Sequence, residues 1–105
     1  MSDFYCDEAL SGRTSIEVVE ETDAVFAFRH TRPFWPEHIV VVTKRHVGSL
    51  LDIEAALLAD LMVVVQRVAA DMLERQGACR VLTNLGEYQD SKHLHFHVAA
   101  GDPLR

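Results

Sequence analysis

Cysteine is scarce in this 105-residue chain, with only Cys6 and Cys79. Two thiols do not build a disulfide framework, so stability is expected to rest on a packed core. Positive charge is also short. Ten Lys and Arg face sixteen Asp and Glu, giving a formal net charge of −6. Proteins that track a nucleic-acid backbone are usually basic, so the composition argues against that partner while leaving a small anionic ligand open. No apolar run is long enough to cross a membrane, and Met1-Ser2-Asp3 lacks the basic start of a signal peptide. The expected location is the cytoplasm, with no membrane partner. Repeats, low-complexity tracts and internal boundaries are also missing, so residues 1–105 are read as a single domain.

What is present is an ordinary globular composition, 49% apolar and 25% charged, with clear periodicities. Residues 1–13 read as an arm or short helix ending near the Ser11-Gly12 turn signal. Ile16 to Val19 and Ala24 to Phe28 are short apolar runs across the polar turn Glu20-Glu21-Thr22-Asp23, the pattern of a β-hairpin. Thr31 to Glu37 holds Pro33, Phe34, Trp35 and Pro36, a loop with a fixed path. His38 to Val42 is a continuous apolar strand, expected to be buried on both faces. Asp52 to Gln76 is predicted as one long helix, with Ser49 or Asp52 as cap and Gly77 as stop. Its apolar stripe, Leu58, Leu61, Met62, Val65, Val68, Ala69 and Met72, is widened by Leu57, Val63 and Val64, which points either to a dimer interface or to a deeper monomeric core. Cys79 to Thr83 and residues 93–99 complete the strands. The predicted fold class is α+β, a five-stranded antiparallel sheet with one long helix, paired into a dimer.

The last strand carries the chemistry. His93-Leu94-His95-Phe96-His97-Val98 alternates imidazole with apolar residues, which places the three histidines on one exposed strand face. Positions two apart lie roughly 7 Å apart and positions four apart roughly 13 Å, so His93 and His97 cannot share a metal ion. A purification tag does not alternate with core residues in this way. His38, at the start of the third strand, can join His95 and His97 if strands three and five are neighbours.

The chain resembles the histidine-triad nucleotide hydrolases and transferases, whose hallmark is His-φ-His-φ-His-φ-φ with φ apolar. Here that motif is His93 to Ala99. Phe28, Pro33, Pro36, His38, Lys44-Arg45-His46, Asn84 and Gln89 also match, and the likeness runs from about residue 3 to residue 99. The resemblance implies a small homodimer that binds a purine nucleotide and cleaves at its α-phosphorus. His95 would be the nucleophile, forming a covalent nucleotidyl-histidine, while His97 and His38 would bind the phosphate. Asn84, Gln89, His30 and Ser91 fall at the nucleotide-binding positions. No cofactor is implied for catalysis. The chain departs from the family at His30, where an aspartate usually grips the ribose hydroxyls, and at Asp90, with Ser91 next to it. The loop from Asn84 to His93 is short, and a C-terminal specificity segment found in relatives is expected to be truncated. Relatives with a structural zinc imply Asp3, Cys6, His46 and His93 as its ligands here, with a degenerate, metal-free site as the other reading. Two further functional readings stand beside the enzyme. One is a nucleotide-binding regulatory module with little turnover; the other is a protein whose histidines hold zinc or nickel.

Overall fold

The computed structural model describes residues 16–89 and 91–105. Strands β1 (Val18–Glu21), β2 (Val25–Arg29) and β3 (Glu37–Thr43) precede the helix α1 (Ala55–Gln76), and β4 (Arg80–Leu82) and β5 (His95–Ala100) follow it. A 3₁₀ turn covers Gly86–Tyr88. The sheet order is β1-β2-β3-β5-β4, and every neighbouring pair is antiparallel. The predicted hairpin, the helix and the five strands are all present, with shifted ends.

One sheet face packs on α1. Val25, Ala27, Ile39, Val41, Phe96, Val98 and Ala100 meet the helix residues Leu57, Leu61, Val64, Val65, Val68 and Met72. Each Val, Leu, Ile, Phe or Met among them, once fully buried, contributes roughly 1.5–3 kcal/mol. The alternating residues of the same strands, Phe26, Phe28, Val40 and Val42, form a second cluster on the opposite face. β3 is therefore apolar on both sides, as its unbroken run foretold.

One expectation about α1 is corrected. Neither Ser49 nor Asp52 caps it; Glu54 occupies that position and makes no side-chain capping bond. Ser49 Oγ instead bonds Asp52 Oδ2 at 3.1 Å and accepts from the Leu51 amide at 3.2 Å, closing a turn ahead of the helix. The C-terminal stop is as predicted. Gly77 is left-handed, with φ of 79°, and its amide bonds the Leu73 carbonyl at 2.8 Å. Val63 and Leu73 stay exposed on the helix, and Val81, Leu85 and Tyr88 stay exposed around β4.

Candidate functional site: a cluster of four histidines

The register of β3 against β5 pairs His38 with Ala99, Val40 with His97 and Val42 with His95. Directly paired residues share a face, so His38, His95 and His97 lie together on the side away from α1. The adjacency of strands three and five, on which His38's membership depended, is present.

The triad does not form one exposed row. β5 begins at His95, and all three histidines are buried, at 0% exposure for His93, 4% for His95 and 8% for His97. His93 lies ahead of the strand, where its Nε2–H donates to the Thr43 carbonyl at 2.7 Å. Alternation in sequence reports two faces but not where hydrogen-bonded pairing starts, and here a local bond turns His93 out of line. The bend places the His93 carbonyl 2.9 Å from His95 Nδ1.

These contacts assign the protons. A carbonyl only accepts, so His95 carries hydrogen on Nδ1 and, when neutral, a lone pair on Nε2. Thr83 Oγ1 donates to the His95 carbonyl at 2.7 Å and ties this strand to the end of β4. The Phe34 amide donates to His38 Nδ1 at 3.0 Å, so neutral His38 bears its proton on Nε2. That proton points to His97 Nδ1, 2.7 Å away. His97 Nδ1 is then an acceptor, and its own proton sits on Nε2. The result is a directional chain from the Phe34 amide through His38 to His97.

Burial keeps that chain neutral. It lowers the His97 pKa to about 3, with the neighbouring His95, His38 and His30 adding to the effect. Burial likewise lowers His38 to about 4, helped by His30, His95 and Arg105. The His95 and His97 rings meet edge to face at 4.7 Å. His30 stacks on His38 at 4.4 Å, with its Nδ1 accepting the Arg32 amide at 2.9 Å. Trp35 meets His38 edge-on at 5.0 Å, and the Arg80 guanidinium lies 5.2 Å from the Trp35 ring.

The structure thus brings His30, His38, His95 and His97 together. Gln89 is buried, and its side-chain amide donates to the Gly48 carbonyl at 2.6 Å. Ser91 is buried in the loop before β5, while Asn84 is half-buried after β4. Asp90, Asp3 and Cys6 lie outside the described residues. Of the implied zinc ligands, His46 and His93 stand edge to face at 5.2 Å. With Nε2–H committed to Thr43, neutral His93 has its lone pair on Nδ1, the usual arrangement of a metal-binding imidazole. Those two residues fit a zinc site, although the described residues contain no group of three or more ligands placed to hold a metal. Sequence reasoning missed the roles of the Thr43 carbonyl, the Phe34 amide and Arg105. The Thr43 carbonyl and the Phe34 amide are backbone groups without a side-chain signal, and the Pro33–Pro36 loop marks only the path on which Phe34 lies.

Among the described residues no helix is long and apolar enough to cross a membrane. The chain is 36% identical over 93 residues to an uncharacterised HIT-like protein of Synechococcus elongatus, covering 84% of this chain and 81% of that one. A histidine triad protein from Clostridium difficile superposes with a TM-score of 0.79 at 34% identity, covering 98% of this chain and 93% of that chain. A histidine triad nucleotide-binding protein from Candida albicans gives a TM-score of 0.81 at 25% identity, covering 92% and 73%. The family model of the HIT domain matches residues 12–104, and on that match the chain belongs to the HIT (histidine triad) family.

Proposed function

We propose that this protein is a nucleotide hydrolase or nucleotidyl transferase. It acts at the α-phosphorus of a purine nucleoside phosphoramidate, an acyl-nucleotide or a dinucleoside polyphosphate. The observation that carries this reading is the bond from His95 Nδ1–H to the His93 carbonyl, which leaves the Nε2 lone pair as the reactive one. Nε2 forms a bond to phosphorus while the bond from phosphorus to the leaving nitrogen or oxygen breaks, and the leaving group takes a proton from solvent. Water then attacks phosphorus, the phosphorus–Nε2 bond breaks, and a proton returns to solvent.

His97 and His38 have unequal parts in this reading. His97 offers Nε2–H to the phosphoryl oxygens, where negative charge grows. His38 uses both ring nitrogens, toward Phe34 and His97, and so aligns His97. The nucleotide-binding relative from Candida albicans supports a nucleotide as ligand. Asn84, Gln89, Ser91 and His30 are the proposed nucleotide contacts, and His46 and His93 would supply two ligands to a structural zinc.

The competing reading is a binding module with little turnover. His30 favours it, because an imidazole accepting the Arg32 amide holds a ribose less firmly than a carboxylate would. Turnover of a model purine nucleoside phosphoramidate decides between them. The enzyme reading expects hydrolysis by the wild type and a loss of several orders of magnitude in His95→Asn. Wild-type binding without hydrolysis would select the module.

The protein is further proposed to be a homodimer joined through α1 and the β4 edge. Its support is the exposed apolar set Val63, Leu73, Val81 and Leu85.

A further inference from the structure

We infer that the segment following β5, residues 101–105, is a positioning strap that sets the proton arrangement of His38 and His97. The Leu104 amide donates to the Phe34 carbonyl at 2.7 Å, and Arg105 Nη2 donates to the Arg32 carbonyl at 2.9 Å. Those same two loop residues turn their amides inward. Phe34 donates to His38 Nδ1 at 3.0 Å and Arg32 to His30 Nδ1 at 2.9 Å. Arg32 and Phe34 thus each hold the strap with a carbonyl and an imidazole with an amide.

Pro33 lies between them, with its φ fixed and no amide hydrogen of its own. At the far end of the loop Pro36 packs on Gly101, whose φ is +95° and where an added Cβ would come within 2.9 Å of the proline ring. Burial alone does not hold this loop, because Thr31, Arg32, Pro33, Phe34 and Pro36 are all exposed. Trp35, wedged between His38 and Arg80, anchors one point of it. The strap fixes the two residues on which the imidazoles depend.

The consequence for the site follows from counting protons. If the Phe34 amide moves away, His38 can carry its proton on Nδ1 and present a lone pair at Nε2. His97 Nδ1 would then have to bear a hydrogen, leaving Nε2 with a lone pair that repels phosphoryl oxygens. The groups facing His38 are His30 beside it, His95 and His97 from β5, and Arg105 from the strap. Of these, only Arg105 belongs to the strap.

The inference rests on the nucleotide-hydrolase reading for its effect on rate, so the primary measurement uses no substrate. Long-range proton–nitrogen NMR of the full chain reads the tautomer of each ring. Wild type and Leu104→Ala, which keeps the amide, should both show hydrogen on His38 Nε2 and a lone pair on His97 Nδ1. Leu104→Pro, which removes that donor, should populate the reversed pair. With a phosphoramidate substrate its kcat should fall about five- to tenfold at similar KM, the effect of one modest hydrogen bond. The acid limb of its kcat profile should move to higher pH, because His38 loses burial. Arg105→Gln leaves the backbone intact and serves if Leu104→Pro does not fold. Losing a neighbouring cation, it should raise the His38 pKa and disturb the His30 ring signals. Wild-type tautomers in Leu104→Pro, or an unmoved His38 in Arg105→Gln, would overturn the strap. Absence of turnover in every form, with tautomers responding as described, would instead overturn the hydrolase reading alone.

Discussion

His95 Nδ1 lies 2.9 Å from the carbonyl of His93, two residues back along the chain. A strand in regular pleat would hold that carbonyl in the ladder. The bond forms because His93 stands before β5, its own ring tied to Thr43 at 2.7 Å. One histidine is thus spent on structure, and its backbone sets the tautomer of the next.

Stability should fall with acid in a defined window. His97 and His38 fold with pKa values of about 3 and about 4, below the ordinary 6.5. Between those values and 6.5 the unfolded chain binds protons that the folded chain refuses, so stability rises with pH. Their contribution is intact above 6.5 and is lost as pH falls through the folded values. Each group adds a slope of up to about 1.4 kcal/mol per pH unit. Urea unfolding at pH 7.5 and 5.5 in wild type and in a His38→Asn, His97→Asn double variant checks this. An equally steep loss in the double variant would assign the acid sensitivity elsewhere.

His30→Asp should tighten binding of a purine nucleoside monophosphate by about tenfold. A charged acceptor contributes roughly 1–2 kcal/mol more than a neutral one. One carboxylate oxygen can keep the Arg32 amide now held by His30 Nδ1, leaving the other for a ribose hydroxyl. Calorimetric titration reads the change, and weaker or equal affinity would place the ribose elsewhere.

Sheet and helix were legible because they follow simple periods. The continuous run Ile39–Val42 announced burial on both faces, and Gly77 announced the end of α1. His38, His95 and His97 could be grouped once β3 and β5 were supposed to be neighbours. What could not be read was set by backbone groups that carry no sequence signal. The Thr43 carbonyl displaces His93, and the Phe34 amide fixes His38. The helix start was misread because Ser49 and Asp52 have good capping chemistry and spend it on each other. Leu104 and Arg105, ordinary in sequence, matter only through the loop they hold.

The exposed apolar residues of α1 and β4 make association testable. Sedimentation at micromolar concentration should give twice the 11.8 kDa chain mass. Leu73→Glu and Val81→Glu, at positions 52% and 45% exposed, should shift the protein to monomer without unfolding it. A wild type sedimenting only as one chain would contradict the proposed dimer.

The central claim is that His95 Nε2 bonds to phosphorus. Wild-type protein, mixed briefly with a purine nucleoside phosphoramidate and kept out of acid, is digested and analysed by mass spectrometry. One nucleotidyl group is expected on the peptide containing residues 93–97, placed on His95 by fragmentation and absent from His95→Asn. Turnover in His95→Asn at near wild-type rate, or a nucleotidyl group on another residue, would contradict the account.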